Sequence, residues 1–206
     1  MKKFALLFLA VMLYACNSNQ STGTNAASAE AKTPAAVNPN QYEMEDAGNG
    51  LKLATKRNAD GKIIEQGFMK NGKKEGAWKV YEKSFDFPKY IISYVDGAYN
   101  GPYFEYTDHG QVEIQSNYKN NKLHGHWGQY KFGKIIKTAN YTDGLLDGLY
   151  AEYNQRDGTP KMEATYKMGK QDGSMKYYND KGEVILEYTF RNGEKIGDAK
   201  VIKHDE

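Results

Sequence analysis

The sequence predicts an all-β protein built from about six β-hairpin units. One pattern recurs every 23 to 25 residues, apolar and polar residues alternate before each recurrence, and turn-forming dipeptides separate the segments. Each recurrence begins at an aromatic or large apolar residue, which we name the anchor. The anchors are Met69, Tyr94, Tyr118, Tyr141, Tyr166 and Phe190.

The segment that leads into each anchor is predicted to be a strand. Before Phe190, the apolar residues Val184, Leu186 and Tyr188 occupy alternate positions, and mostly polar residues lie between them. The same alternation covers residues 112–118. A period of two is typical of a strand that buries one face and exposes the other.

Turn-forming dipeptides lie at both ends of the predicted hairpins, because Asn, Asp and Gly tolerate the positive φ of tight reversals. The set that follows the anchors is Asn71-Gly72, Asp96-Gly97, Asn120-Asn121, Asp143-Gly144 and Asn192-Gly193. The set at the opposite end is Asp60-Gly61, His109-Gly110, Asp157-Gly158 and Lys181-Gly182.

Glycine also occupies the seventh position after every anchor. These seventh-position glycines are Gly76, Gly101, Gly125, Gly148, Gly173 and Gly197. Glycine within a strand is typical of a β-bulge or of a close approach between two backbones. We therefore expect one of these features in each unit.

Two further positions are aromatic in most units. The ninth-position residues are Trp78, Tyr103, Trp127, Tyr150, Met175 and Ala199. The twelfth-position tyrosines are Tyr81, Tyr106, Tyr130, Tyr153 and Tyr178. Successive side chains of a strand point to opposite faces, and one of these positions is odd-numbered while the other is even-numbered. Either a bulge therefore separates the two sets or they lie on opposite faces. Both sets either form the sheet's own core through cross-strand pairs or present a surface to a partner.

The candidate partner surface combines four ninth-position aromatic residues with two phenylalanines of a lengthened loop. This loop covers residues 83–88 and departs from the repeat. Its phenylalanines either fold back on the sheet or contact a partner. The candidate residues are Trp78, Phe85, Phe87, Tyr103, Trp127 and Tyr150.

The motif aromatic-x-Asn/Asp-Gly-x-x-x-Gly-x-Trp/Tyr-x-x-Tyr, found at 94–106 and 141–153, resembles the MORN repeat in its bacterial variant form. The resemblance covers residues 51–206 and implies a single elongated, twisted antiparallel β-meander. Two strands per unit and a leading strand at 51–57 give about 13 strands. We expect the last unit, which carries Ala199 and Ile202 instead of aromatic residues, to cap one edge.

Residues 1–15 are predicted to be a signal peptide. Two lysines precede the apolar run 4–14, which as a helix reaches only about 16 Å and is too short to span a bilayer. The end of this run, Leu13-Tyr14-Ala15-Cys16, resembles a bacterial lipoprotein signal. The resemblance implies cleavage before Cys16, a diacylglycerol thioether on its sulfur and an acyl chain such as palmitate on the new amine. The alternative is an ordinary signal peptide followed by an incidental cysteine.

Residues 16–50 are predicted to be a lipidated, disordered tether, because small polar residues dominate and cannot bury enough apolar surface to fold. Loss of Lys2 and Lys3 leaves 26 basic and 26 acidic side chains, so attraction to anionic lipid by bulk charge is not expected. No acidic cluster follows Cys16. We therefore expect an anchor in the outer membrane that faces the periplasm.

We expect no catalysis, no cofactor, no metal and no nucleic acid. A net charge of +2 excludes a strongly basic surface, and the single cysteine excludes a disulfide within the chain. The pair His124 and His126 lacks evident further ligands and is interpreted as part of an exposed turn. Asp147 and Asp172 recur at the sixth position after the anchor, where solvated turn charges are favoured over a calcium site.

Three classes of function follow from these features. The first is a non-catalytic module, anchored in the membrane through Cys16, that binds or scaffolds an envelope protein or glycan. The second is a module that associates with membrane lipids, as some MORN proteins do. The third is an antitoxin or immunity-type protein, a class to which bacterial MORN-variant proteins are often assigned.

Overall fold

The structure, a computed structural model, describes residue 34 and residues 37–82 and 87–204. It is all-β, as predicted: a 3₁₀ turn at Pro39–Gln41 leads into one open antiparallel sheet. The described residues form sixteen strands: β1 (Glu43–Gly48), β2 (Leu51–Arg57), β3 (Ile63–Lys70), β4 (Lys73–Val80), β5 (Tyr90–Val95), β6 (Ala98–Tyr106), β7 (Val112–Lys119), β8 (Lys122–Leu123), β9 (Gly125–Lys131), β10 (Lys134–Thr142), β11 (Leu145–Leu146), β12 (Gly148–Tyr153), β13 (Pro160–Lys167), β14 (Lys170–Tyr178), β15 (Val184–Arg191) and β16 (Glu194–Val201).

The sheet is a meander in which strands pair with their neighbours along the chain. The short strands β8 and β11 pair with β7 and β10 and continue, after one residue, as β9 and β12. When each interrupted strand is counted once, β2 to β16 make thirteen strands, the number predicted for residues 51–206. The charged strand β16 lies at one edge, as expected for the atypical last unit.

The strand β1 corrects the predicted boundary of the tether. It lies within the range 16–50 and pairs with β2 through a turn at Asn49 and Gly50, whose φ angles are 55° and 76°. The Asn-Gly dipeptide was an available signal for this hairpin, but neither an aromatic anchor nor a seventh-position glycine accompanies it. The predicted signal peptide, Cys16 and most of the predicted tether lie outside the described residues.

The turns that follow the anchors are tight reversals with two consecutive residues at positive φ, as in type I′ turns. At Asn71 and Gly72 the φ angles are 50° and 76°. The fifth unit uses Met168, at φ 47°, before Gly169, although methionine rarely adopts this conformation. The predicted turns are therefore confirmed, and the Met168 turn is an addition to them.

The seventh-position glycines are sites of β-bulges, so the first of the two expected features is confirmed. All six have positive φ, between 66° and 121°. Across each of them the pairing register of the hairpin shifts by two residues. At Gly173 an added Cβ would also lie 3.0 Å from the Cβ of Thr165, so a larger residue there would meet this side chain.

The core covers one face of the sheet, which we name the core face. Buried anchors and ninth-position residues pack side by side across the strands; Tyr94 and Tyr118, for example, flank the ring of Tyr99 with centroids 5.1 and 5.5 Å from it. Trp78 is fully buried and lies flat over Gly67, where an added Cβ would be 2.3 Å from the indole ring. The other side of the sheet is named the outer face.

Candidate functional site

Three residues of the predicted partner surface are buried on the core face. Trp78, Tyr103 and Tyr150 are almost fully covered, so their assignment to an accessible surface is corrected. The reason is that the ninth position shares a face with the anchors: the Trp78 ring meets Tyr94 at 6.3 Å, and the Tyr150 ring meets Tyr166 at 6.3 Å.

The remaining predicted residues have different positions. Trp127 is half-buried against the core. Phe87 is 53% exposed, and its ring lies 3.3 Å from the place where Gly110 would carry a Cβ, so it rests on the neighbouring turn. Phe85 lies outside the described residues.

The twelfth-position tyrosines lie on the outer face. Tyr106 is three residues beyond the buried Tyr103 on the same strand, and its ring lies 6.2 Å from Phe104. The hydroxyl of Tyr130 donates a hydrogen bond to Gln115 at 3.3 Å, and that of Tyr178 donates one to Glu163 at 2.6 Å. Of the two alternatives for the ninth and twelfth positions, the second is therefore correct: the two sets lie on opposite faces of the sheet.

These five half-buried tyrosines form a row, which we name the tyrosine row: Tyr81, Tyr106, Tyr130, Tyr153 and Tyr178. They lie at the ends of every second strand of the sheet, namely β4, β6, β9, β12 and β14, with Tyr81 directly after the last residue of β4. Neighbouring strands are about 4.8 Å apart, so successive members of the row are about 10 Å apart. The sheet thus presents aromatic rings at a regular interval along its length.

Polar side chains lie in two of the four intervals between the tyrosines of the row. Gln115 on β7 lies between Tyr106 and Tyr130, and Glu163 on β13 lies between Tyr153 and Tyr178. Burial and the hydrogen bond to Glu163 raise the pKa of Tyr178. In these two intervals the row offers hydrogen-bonding groups beside its aromatic surface.

The ring of Tyr130 is the best-defined platform in the row. It lies over Gly128, where an added Cβ would be 3.1 Å from Cε2 of the ring. Beside it, Gln111, Val112, Gln115, Tyr130 and Gly133 line a cavity of about 370 Å³. The nearest ring atoms are Cε2, Cζ and the hydroxyl oxygen, so one end of the half-buried ring lies over the glycine.

Phe132 is the most exposed aromatic residue of the described chain. It lies in the turn between β9 and β10 with 73% of its surface exposed and a φ of 51°. The Nζ atom of Lys131 lies 5.8 Å from the centre of its ring. Neither the conformation nor the exposure is favourable for phenylalanine, and the repeat pattern contained no signal for this residue.

Charged groups on the core face have structural partners. Lys74 forms an ion pair with Glu65 and lies 4.3 Å from the centre of the Trp78 ring. Glu65 also accepts a hydrogen bond from Tyr42 at 2.6 Å, and burial together with this bond raises the pKa of Tyr42. These groups tie the segment before β1 to the first unit.

The sixth-position residues cap the turns of the following units. Glu75 accepts a hydrogen bond from the backbone N–H of Asp96 at 2.9 Å, and Asp172 accepts one from that of Asn192 at 3.2 Å. Asp147 does the same for Met168 at 3.4 Å. Within residues 34, 37–82 and 87–204, no group of three His, Cys, Asp or Glu side chains is placed to hold a metal ion.

The part of the chain that the structure describes also contains no helix of sufficient length and hydrophobicity to cross a membrane.

Comparison with known proteins identifies no family for this chain. No family profile and no curated protein sequence matches it. Among solved structures, it is similar to a TarM variant of S. aureus in complex with fondaparinux, alpha-GlcNAc-glycerol and UDP, with 12% identity and a TM-score of 0.26 over 65% of this chain. A second TarM structure gives 12% identity and a TM-score of 0.24 over 64% of this chain.

The chain spans only 21% and 22% of the length of these two structures. At such low TM-scores the similarity supports no conclusion about fold or function.

Proposed function

We propose that the protein is a lipid-anchored, extracytoplasmic and non-catalytic module that binds or scaffolds a partner in the bacterial envelope. The tyrosine row on the outer face is the observation that carries this proposal. Tyrosine combines an apolar ring with a polar hydroxyl and has few rotatable bonds, so it is well suited to contacts with protein or glycan.

The anchor and the tether give the binding surface its location. Two or three acyl chains on Cys16 suffice for stable attachment to a membrane. The residues before Val37 then separate the sheet from the lipid surface, and the sheet is free to meet a second component of the envelope. This arrangement, together with the resemblance to MORN repeats, favours a scaffold.

Co-sedimentation with purified bacterial envelopes tests the proposal. The full chain with Cys16→Ala is incubated with the envelopes, so that binding does not depend on the lipid. We expect saturable binding that falls about tenfold when Tyr106→Ala and Tyr130→Ala are combined, since two aromatic contacts contribute about 1.4 kcal/mol or more.

The matched control is Leu149→Ala, which removes an exposed apolar residue of the outer face that lies outside the row. It is expected to bind like the parent chain. Absence of binding by the parent chain, or equal binding by the double variant, contradicts the proposal. Labelled palmitate incorporated into the wild-type chain and not into Cys16→Ala tests the anchor separately.

Association with membrane lipid is a second candidate, favoured by the exposed Phe132 beside Lys131. An aromatic ring and a basic side chain at a hairpin tip suit the interface of a bilayer. Flotation of the Cys16→Ala chain with phosphatidylglycerol vesicles tests this candidate. Loss of flotation in Phe132→Asn, which keeps the turn conformation, is the expected result.

A further inference from the structure

We propose that the tyrosine row binds an extended β-1,4-linked glycan of N-acetylated hexosamines. This proposal rests on the binding function proposed above and names the chemistry of the partner. It is argued from the spacing of the row, from the position of Tyr130 beside a cavity and from the polar groups between the rings.

The spacing of the row matches the repeat of such a glycan. Tyr106, Tyr130 and Tyr153 lie on alternate strands, about 10 Å apart. In an extended β-1,4-linked hexopyranose chain, each sugar is turned over relative to the one before it, so the chain repeats every two sugars. Two sugars cover about the same length as two strands, and every tyrosine therefore meets an equivalent sugar ring.

The ring of Tyr130 is half-buried, and one end of it lies over Gly128. We expect its exposed part to stack on the flat C–H surface of a β-linked sugar. Ala151 occupies the corresponding position before Tyr153 and is likewise small. A side chain at position 128 would meet the Tyr130 ring.

The groups between the tyrosines are suited to sugar hydroxyls. Gln115 and Glu163 accept hydrogen bonds from Tyr130 and Tyr178, which directs their polar ends toward the row. The Gln115 amide can donate and accept further hydrogen bonds, and the Glu163 carboxylate can accept further ones. We expect the hydroxyls of a bound sugar chain to meet Gln115 between Tyr106 and Tyr130 and Glu163 between Tyr153 and Tyr178.

The cavity beside Tyr130 suits an N-acetyl substituent. Its volume of about 370 Å³ exceeds that needed for an acetamido group, and Val112 and Gln115 both line it. Val112 offers an apolar surface for the methyl group of the substituent, and the side-chain amide of Gln115 can form hydrogen bonds with the amide of the substituent. We therefore expect N-acetylated hexosamines to bind more tightly than plain hexoses.

Isothermal titration of the full chain carrying Cys16→Ala tests the proposal. The probes are β-1,4-linked N-acetylglucosamine oligomers of two, four and six sugars, with a β-1,3-linked glucose hexamer as the control ligand. We expect affinity to rise about fivefold with each added disaccharide, since each engages one more aromatic platform. The β-1,3-linked hexamer is expected not to bind.

Variants separate stacking from a structural role. Tyr130→Ala is expected to lower the affinity for the hexamer about fivefold to tenfold, whereas Tyr130→Phe, which keeps the ring, and Leu149→Ala retain most of it. The melting midpoint of every variant is compared with that of the parent chain. If Tyr130→Ala does not fold, the comparison is made with Tyr153→Ala and Tyr153→Phe instead.

Three results would overturn the glycan proposal: binding that does not depend on oligomer length, equal binding of the β-1,3-linked hexamer, or no binding of any oligomer. If the chain still sediments with envelopes in a manner that depends on Tyr130, the binding function survives and the partner is not a glycan. If neither oligomers nor envelopes are bound, both proposals fail.

Discussion

Single residues with positive φ determine how tightly the units turn. Most of these positions hold Gly, Asn or Asp, for which the left-handed region is accessible at little cost. Met168 and Phe132 are exceptions, with φ angles of 47° and 51°. Both are exposed, so neither gains buried apolar contact in exchange for the backbone strain.

Replacing Met168 with Asn is expected to stabilise the protein. Asparagine populates the left-handed region more readily, and the exposed methionine loses little by its removal, so we expect a gain of about 0.5 to 1 kcal/mol. The measurement is the urea midpoint of unfolding. The reciprocal control, Asn71→Met in the first unit, is expected to lower the midpoint; a decrease in Met168→Asn would contradict the argument.

Replacing Gly67 with Ala is expected to destabilise the first unit. The added Cβ would lie 2.3 Å from the indole of Trp78, which is held in place by a hydrogen bond from Nε1 to the carbonyl of Phe68 at 2.9 Å. Overpacking of this kind costs about 1 to 3 kcal/mol.

The expected result is a lower unfolding midpoint with a changed Trp78 fluorescence. The suppressor Trp78→Leu, combined with Gly67→Ala, tests the cause. If the steric conflict is responsible, Gly67→Ala costs less in the Trp78→Leu background than alone. An equal cost in both backgrounds would show that the effect arises from the backbone instead.

Hairpins are joined to each other by a repeated turn contact. The N–H of Gly97 donates to the carbonyl of Lys74, and that of Gly193 donates to the carbonyl of Gln171, at 2.9 and 2.8 Å. With the sixth-position caps, these bonds attach each turn to the preceding unit. They satisfy backbone groups that a turn would otherwise leave to solvent.

Ion pairs add a pH-dependent contribution at the level of the strands. Burial alone would raise the pKa of Glu152, but hydrogen bonds from Tyr150 and Lys137 outweigh it, so the pKa lies below its ordinary value of 4.5. A carboxylate whose pKa is lower in the folded state stabilises the fold above the unfolded value. This contribution is lost as pH falls through the folded value.

Glu152→Gln is therefore expected to lower the unfolding midpoint at pH 7 and to differ less from the wild type as pH falls below 4.5. Urea unfolding across this pH range is the measurement. Glu45→Gln, on the exposed strand β1, serves as the control. Its unfolding midpoint is expected to match that of the wild type across the same pH range. A difference that stays constant with pH would contradict a role of the Glu152 charge.

At the scale of the whole molecule, the open sheet has two edges, β1 and β16, within the described residues. Both carry charged side chains, including Glu43 and Glu45 on β1 and Lys195 and Lys200 on β16. Charges on edge strands oppose pairing with another chain. An extended, single-layer sheet depends on this protection because its edge hydrogen-bonding groups are otherwise open.

Neutralising the edge β16 is expected to cause self-association. Replacing Glu194, Lys195, Asp198 and Lys200 with Thr removes the charges and raises strand propensity, so a larger species is expected in sedimentation velocity. Lys195→Glu with Lys200→Glu keeps the edge charged and is expected to stay at the size of the parent chain. An unchanged size for the threonine variant would show that the charges do not protect the edge.

Much of the fold was predictable because its signals are local. The Asn71-Gly72 turn follows from conformational preference, and the bulge at Gly173 follows from a glycine inside a strand. The hairpin of β1 and β2 was missed because its apolar alternation is short: Tyr42 and Met44 alternate with Glu43 and Glu45, but Asp46 takes the next apolar position. The site was predictable only in residue type: tyrosines at the twelfth position were evident, and their exposure was not.

The sequence by itself determined the all-β class, the hairpin repeat, the turns and the bulges, since each depends on the φ preferences and the period of a few adjacent residues. Only the tertiary structure decided which aromatic set is buried. Trp78 and Tyr81 are equally aromatic and lie on the same hairpin, and local energies do not separate them. Long-range pairing buries the ninth position over small residues such as Gly67 and leaves the tyrosine row on the opposite face.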